Sequence, residues 1–245
     1  MEPEQTTSKN NIMLPIAIVI AGVLIAGALF VTKKDGTTNS AGTFAGSQAV
    51  AGLRPENNAA PVGASDHILG SPNAPVMIVE YSDTDCPYCK SFHPILQRII
   101  NEFGQDGKVA WVYRHFAFHP NAPKEAEATE CAAELGGNTK FWQYLDLLLS
   151  KKDFNVTPYK GTDPSQLPVL AAQIGIDKAA FTECLSSGKY ASKITDSYND
   201  AIKSGAQGTP HTIIMTKNGR IAINGVVQFE QLKAAVQSLL NEKPQ

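Results

Sequence analysis

The chain has 245 residues, of which 43% are hydrophobic and 18% are charged, and its 21 basic and 23 acidic residues give a net charge of -2. This length suits one elaborated domain with an additional terminal segment. Because the charges are balanced and form no block of one sign, the composition excludes nucleic acid as an expected partner.

The first element in chain order is an apolar segment, Ile12–Val31, in which 20 successive residues carry no charge. A helix of that length spans a hydrocarbon core of about 30 Å. A signal peptide cleaved near Ala26-Gly27-Ala28 is the alternative, but the apolar part of such a peptide is usually only about 7 to 15 residues long. We therefore predict an uncleaved membrane anchor, with residues 1–11 in the cytoplasm.

The positive-inside rule weakly favours the opposite orientation, because Lys9 precedes the apolar segment while Lys33 and Lys34 follow it. The four cysteines outweigh that signal, since disulfides persist outside the cytoplasm. Residues 32–65 are rich in Gly, Ala, Ser, Thr and Asn, which predicts a disordered linker. The folded domain is expected to occupy residues 66–245.

Within this domain, periodicity and turn residues predict an α/β order of elements. Two strands, Val76–Tyr81 and Lys108–His115, flank a helix that begins near Pro87. A helical block follows over about 121–204, and its predicted helices are Lys124–Leu135, Thr139–Ser150, Pro164–Ile174, Lys178–Ser186 and Tyr190–Lys203. The last predicted elements are a hairpin of Thr212–Met215 and Arg220–Ile223 and a helix, Phe229–Leu240. This order is the thioredoxin fold with an inserted helical subdomain.

Cys86 and Cys89 stand where the first strand meets the following helix. Residues three apart share a helix face, so the two sulfurs can approach bonding distance. The unpaired N–H groups and positive dipole at the helix start lower the pKa of the first thiol, and Pro87 suits the first turn. The pair is therefore predicted to be redox-active.

A metal site is the alternative for Cys86, Cys89 and His93, which have the spacing C-x2-C-x3-H. A structural zinc site takes four ligands, and no second close pair of cysteines exists. Haem attachment would need a histidine at the position of Lys90. A module that binds zinc or copper stays as the hypothesis from a different class, and no metal is expected.

Thr209-Pro210 lies where the third strand of the thioredoxin plan begins. In that fold a cis-proline at this place faces the cysteine pair. Only about 5 to 6% of X-Pro bonds in folded proteins are cis, but the position in the plan favours cis here. The backbone of Thr209 is expected to pair with an extended substrate as an added strand.

Several short motifs occur together in the predicted domain, namely Gly70-Ser71-Pro72-Asn73-Ala74-Pro75, Cys86-Pro87-Tyr88-Cys89-Lys90, Phe92-His93-Pro94, Tyr113-Arg114, His119-Pro120, Phe141-Trp142 and Gly208-Thr209-Pro210. With these motifs, residues from about His67 to Leu240 resemble the DsbA-like thiol-disulfide oxidoreductases, in particular the membrane-tethered or secreted branch with BdbD-type proteins. The resemblance implies that Cys86 is the exposed reacting sulfur and Cys89 its buried resolving partner. It also implies that Pro87, Tyr88 and Thr209 contact the substrate.

The family carries an acidic residue at the position of Glu80, six residues before Cys86. A buried carboxylate with a raised pKa there would exchange a proton with Cys89. An exposed position at the strand end is the alternative. Asp83 and Asp85 are expected to be solvated loop residues.

His93 and His119 are expected to have capping or packing roles, because a lone histidine without a geometric partner is weak evidence for catalysis.

Cys131 and Cys184 both fall in predicted helices of the inserted block. An even cysteine count outside the cytoplasm favours a structural disulfide between them, and two buried free thiols are the alternative.

The first functional hypothesis is an extracytoplasmic oxidase that donates the Cys86–Cys89 disulfide to reduced, newly exported proteins. A membrane quinone-linked partner of the DsbB or VKOR type would reoxidise it, with no cofactor beyond the disulfide, and the chain would be a monomer. A reductase or isomerase of the same fold is the alternative, because Thr209 replaces the Val of the best-known oxidant and resembles the reductase and isomerase branches.

Overall fold

Six strands form one mixed sheet in the computed structural model, which describes residues 54–55, 58–156 and 161–242. The strands are β1 (Arg54–Pro55), β2 (His67–Leu69), β3 (Val76–Ser82), β4 (Val109–His115), β5 (His211–Thr216) and β6 (Gly219–Asn224). Their order in the sheet is β1-β6-β5-β3-β4-β2. β3 and β4 are parallel, and every other pair is antiparallel. This order places β3 in the middle of the sheet, between β5 and β4.

The helices are α1 (Pro87–Phe103), α2 (Ala122–Ser150), α3 (Leu167–Gln173), α4 (Lys178–Ser187), α5 (Ala191–Lys203) and α6 (Phe229–Asn241). A short 3-10 turn, Pro164–Gln166, precedes α3. The helices α2 to α5 lie between β4 and β5 in the chain, as the predicted helical block requires. The thioredoxin fold with a helical insertion is therefore confirmed.

The sheet is buried on both faces, as expected for central strands that are apolar throughout. On one face, Ile78 and Trp111 pack with Phe92 and Leu96 of α1 and with Leu232 of α6. The opposite face packs against α5 and has its own apolar cluster, which includes Val79, Tyr81, Val112, Ala201 and Ile213. These two layers fix where the residues at the carboxyl end of β3 lie.

The helical block has a core of its own, built on Tyr144, Leu148 and Phe181. Cys131 and Cys184 form a disulfide within it, with Cα atoms 5.9 Å apart, which confirms the predicted bridge.

The two helices predicted on either side of residue 137 run together as α2. Gly136 and Gly137 nevertheless have non-helical backbone, and Gly137 takes φ +73°, a conformation that favours glycine.

The ordered domain begins before the predicted boundary at residue 66. β1 pairs with β6 at Ala222 and Ile221, and the side chain of Ala59 is buried. The end of the predicted linker is therefore part of the domain. The prediction was wrong there because the small, polar residues of this segment gave no sign of a strand or a buried side chain. The predicted segments 1–11 and 12–31 lie outside the described residues. None of the helices in the described part is long and apolar enough to cross a membrane.

Candidate active site

Cys86 is the N-cap residue of α1, with an extended backbone, and Pro87 opens the first turn. Both active-site cysteines are free thiols, and both are buried. The expectation that Cys86 is exposed is wrong, because the backbone of Thr209 lies against its sulfur and leaves the residue only 4% exposed. The Thr209–Pro210 peptide bond is cis, as predicted, and the Cys86 thiol faces the carbonyl oxygen of Thr209 with Sγ 3.5 Å away. The structure therefore brings Cys86, Cys89, Thr209 and Pro210 together.

The two thiols have opposite acidities. A hydrogen bond from Cys89 lowers the pKa of Cys86 to about 6, with further help from Thr209 and the backbone N–H groups of Tyr88 and Cys89, and against the effect of burial. Burial raises the pKa of Cys89 well above its ordinary value, and the neighbouring Cys86 and Glu80 raise it further. At neutral pH the reduced site therefore holds a Cys86 thiolate and a protonated Cys89.

Glu80 is fully buried in β3, so the alternative of an exposed strand end is wrong. Burial raises its pKa to about 7, while His93 and hydrogen bonds from Ser82 and Trp111 oppose that shift. The indole N–H of Trp111 donates to Glu80 Oε2 over 3.0 Å. A carboxyl group that titrates near neutrality beside Cys89 can accept or donate a proton during exchange.

Asp83 and Asp85 are buried, and the expectation that they are solvated is wrong. The carboxylate of Asp83 accepts hydrogen bonds from the backbone N–H groups of Phe118, His119 and Asp85 at 2.8, 3.0 and 2.7 Å. The Asp83 N–H lies 3.4 Å from the Sγ of Cys89. Asp83 thus joins the loop before α1 to the loop after β4.

Asp85 belongs to a buried charge network that the sequence did not reveal. Lys152 donates to the carboxylates of Asp85 and Glu125, and the hydroxyl of Thr84 donates to Glu125 over 2.5 Å. All four side chains are buried. Because Lys152 is 67 residues from Asp85, no local pattern could have pointed to the pair. The network holds the segment just before Cys86.

The surface beside Cys86 is aromatic. Pro87 and Tyr88 are exposed, as a substrate-contacting role requires, and Tyr88 is 66% exposed. Phe118 was not predicted, yet it is 46% exposed and is linked to the active-site loop through its hydrogen bond to Asp83. The sequence did offer a signal for Phe118, namely the two aromatic residues of Phe116-Ala117-Phe118 directly after a buried strand.

Each of the two histidines has a carboxylate neighbour, Asp146 for His93 and Asp83 for His119, so the expectation that they lack a geometric partner is wrong. His93 Nε2 lies 2.6 Å from Asp146 Oδ1, and its ring meets the edge of Trp111 at a centroid distance of 4.9 Å. His119 stacks on Phe118. Within the described residues no group of three or more His, Cys, Asp or Glu side chains is placed to hold a metal ion.

A family model described as thioredoxin matches residues 63–238, which is most of the chain. The chain belongs to the thioredoxin family. This thioredoxin-family chain resembles BdbD from Bacillus subtilis, with 24% identity, a TM-score of 0.67 and coverage of 77% of this chain and 100% of that one. It also resembles DsbA2 from Pseudomonas aeruginosa, with 25% identity, a TM-score of 0.58 and coverage of 73% and 97%. The predicted resemblance to the DsbA-like thiol-disulfide oxidoreductases is confirmed.

Curated relatives match over the same domain but are much longer proteins. The chain is 35% identical over 176 residues to the Na+/H+ antiporter NhaA 3 of Salinispora tropica, covering 71% of this chain and 24% of that protein. A second antiporter, NhaA of Herminiimonas arsenicoxydans, is 31% identical over 145 residues. The chain thus spans about a quarter of the length of these relatives, and their antiporter names describe those proteins.

Proposed function

We propose that this chain is an extracytoplasmic thiol-disulfide oxidase that introduces disulfides into reduced, exported proteins. The observation that carries the proposal is the environment of Cys86, where hydrogen bonds lower the thiol pKa to about 6. Stabilising this thiolate stabilises the reduced enzyme relative to the disulfide form. The more the reduced form of a dithiol is stabilised, the more oxidising the dithiol becomes, so the lowered pKa of Cys86 favours transfer of the disulfide to substrates.

The exchange proceeds in two steps that balance. A substrate thiolate attacks Cys86 Sγ, the Cys86–Cys89 bond breaks, and Cys89 leaves as a thiolate that takes a proton from Glu80. A second substrate thiolate then attacks the substrate sulfur of the mixed disulfide, and Cys86 leaves as a thiolate. The substrate loses two electrons and the enzyme pair gains them. Tyr88 and the backbone of Thr209 hold the substrate during both steps.

The reduced pair must be returned to the disulfide. We propose a membrane quinone-linked partner of the DsbB or VKOR type, because the apolar segment Ile12–Val31 would hold the domain at the membrane surface where such a partner lies. The disulfide itself is the only redox group required, and the chain is proposed to act as a monomer.

The reduction potential tests the direction of electron flow. The full-length protein is equilibrated with glutathione buffers of graded composition, and the fraction of reduced Cys86–Cys89 pair is measured by alkylation. We expect a potential well above the thioredoxin value of about -270 mV. A potential at or below that value overturns the oxidase and assigns the reductase or isomerase direction instead.

Trapping identifies the substrates. The Cys89→Ser variant lacks the resolving thiol, so it is expected to accumulate mixed disulfides between Cys86 and exported proteins. The matched Cys86→Ser variant should trap none, since the reacting sulfur is missing. If neither variant forms mixed disulfides in cells, protein substrates are ruled out.

A further inference from the structure

Trp111 lies between the buried carboxyl group of Glu80 and a polar pair near the surface. It is on β4, next to β3, and its side chain is fully buried. On one side its indole N–H donates to Glu80 Oε2 over 3.0 Å. On its other side the ring meets the edge of His93, whose Nε2 lies 2.6 Å from the half-exposed carboxylate of Asp146.

Trp111 shares the stabilisation of the Glu80 carboxylate with His93 and Ser82. Glu80 Oε1 is buried and makes no hydrogen bond to the described part of the chain. The polar or titratable groups around Glu80 are Cys86 at the N-cap of α1, Cys89 and His93 from α1, Ser82 from β3, Tyr113 from β4 and Thr212 from β5. Among them, Cys86 opposes ionisation of Glu80, whereas His93 favours it.

We propose that Trp111, held by His93 and Asp146, is a positioning residue that tunes the proton affinity of Glu80 and so sets the pH range in which Cys89 can give up its proton. A donor aimed at a carboxylate stabilises the charged form. An indole N–H serves this purpose well, because it can only donate and it stays fixed by packing. This inference rests on the proposed role of Glu80 in exchange but not on the direction of electron flow.

The chain contains two tryptophans, and they form a matched pair for the test. Trp142 packs against Trp111 with ring centroids 4.7 Å apart, and it is also buried. The Nε1 of Trp142 is buried and donates to no group in the described residues. Trp111→Phe therefore removes an indole N–H that bonds the carboxylate, whereas Trp142→Phe removes one that does not.

The experiment follows oxidation of the reduced full-length protein by oxidised glutathione in single-turnover reactions across pH. Cys86 attacks glutathione disulfide to give a mixed disulfide and one glutathione thiolate. Cys89 then loses its proton to Glu80 and attacks Cys86 Sγ, and the second glutathione leaves as a thiolate. The dithiol is oxidised and glutathione disulfide is reduced to two thiols, so electrons balance. The rate of the second step should rise with pH as Glu80 ionises.

In Trp111→Phe the midpoint of this rise should move upward by about one to two pH units, since a hydrogen bond to a charged group is worth that much in a protonation equilibrium. Trp142→Phe should leave the midpoint unchanged. His93→Gln should also move the midpoint upward, because it removes both the ring that packs against Trp111 and the charge that favours ionisation of Glu80. The pH dependence of Cys86 alkylation should be the same in all three variants.

Two results overturn the inference. One is an unchanged midpoint in Trp111→Phe. The other is an equal shift in Trp142→Phe, which would show that altered packing of the apolar core, and not the lost hydrogen bond, moves the midpoint. If Trp111→Phe does not fold, His93→Gln remains as the test, because His93 lies nearer the surface. An unchanged midpoint in that variant then overturns the inference. Glu80→Gln distinguishes the role of Glu80 from that of Trp111. If this variant keeps the wild-type pH profile, the proposed role of Glu80 fails. If it loses the profile while the midpoint of Trp111→Phe is unshifted, only the role of Trp111 fails.

Discussion

At the scale of single residues, the site depends on two chemically identical side chains with opposite properties. Cys86 is the N-cap residue of a helix, and hydrogen bonds from the Cys89 thiol and from the backbone N–H groups of Tyr88 and Cys89 favour its thiolate. Cys89 lies one turn further in, beside the buried carboxyl group of Glu80, where burial favours the thiol. This difference gives the exchange its order, because only Cys86 is both ionised and next to the exposed surface.

The ionisation of Cys86 can be measured by alkylation. We expect the rate of reaction of the reduced protein with iodoacetamide to rise with a midpoint near pH 6, the value to which hydrogen bonding lowers the pKa of Cys86. Cys89→Ala should move that midpoint upward, because it removes the strongest of those hydrogen bonds. Cys131 and Cys184 are joined in a disulfide and should not react. A wild-type midpoint above pH 8 would contradict the prediction.

Glu80 gives a stability prediction whose sign follows from its pKa. Burial raises that pKa to about 7, above the ordinary value of 4.5. The folded state thus binds a proton that the unfolded state releases, and this contribution is full below pH 4.5 and is lost as pH rises through 7. Glu80→Gln does not show this loss of stability, because a glutamine side chain does not titrate. Relative to wild type, the variant should gain about 2 to 3 kcal/mol in unfolding free energy between pH 5 and 8.5, measured with urea. A pH-independent difference would contradict this.

The sequence predicted the reacting residues but not their supports. Cys86 and Cys89 were singled out by their local spacing at the start of a helix. Pro210 was singled out by its place in the thioredoxin plan, and Glu80 by the resemblance to the DsbA-like family. Asp83 was misjudged because its partners are backbone N–H groups 35 and 36 residues away, which no composition pattern marks. An aspartate in a short loop looks solvated until the loop that covers it is known.

Among the secondary-structure elements, the helices could be predicted from local sequence patterns, whereas the shortest strands could not. The predicted helices of the insertion were placed correctly, because each buries one apolar face with helical periodicity. β1 and β2 have two and three residues, too few for any alternation to be visible. They exist because β6 and β4 offer free edges for pairing. Their presence follows from the sheet, not from their own residues.

The disulfide in the helical block is expected to stabilise that block without taking part in exchange. Cys131 and Cys184 are separated by 53 residues, and closing a loop of this size is worth roughly 4 kcal/mol in the chain-entropy model. The double variant Cys131→Ser/Cys184→Ser should lose up to this amount of unfolding free energy in urea. Because the bridge lies in the core of the insertion, the midpoint of Cys86 alkylation should stay the same. A changed midpoint would instead tie the bridge to the active site.

At the scale of the whole molecule, Arg114 joins the start of the domain to its sheet and its insertion. Its guanidinium donates to the carbonyl oxygens of Ala60 and Pro61 at 3.0 and 3.1 Å. It also forms ion pairs with Asp66 and with Asp200 of α5 at 2.8 and 2.9 Å. Residues 58–66 are thereby fixed to the domain, so any linker toward the predicted anchor ends sooner than the composition indicated.

Arg114→Lys tests whether this side chain fixes the segment. A lysine keeps the charge but has one donor group in place of a planar fork, so it cannot serve both carbonyl oxygens and both carboxylates at once. Hydrogen exchange of the backbone N–H groups in residues 58–66 should become faster, while β3 and α1 keep their protection. Arg98→Lys is the matched control, because Arg98 stacks on Phe229, far from this segment in the chain. Unchanged protection in Arg114→Lys would mean that the pairing of β1 with β6 and the burial of Ala59 suffice to hold the segment.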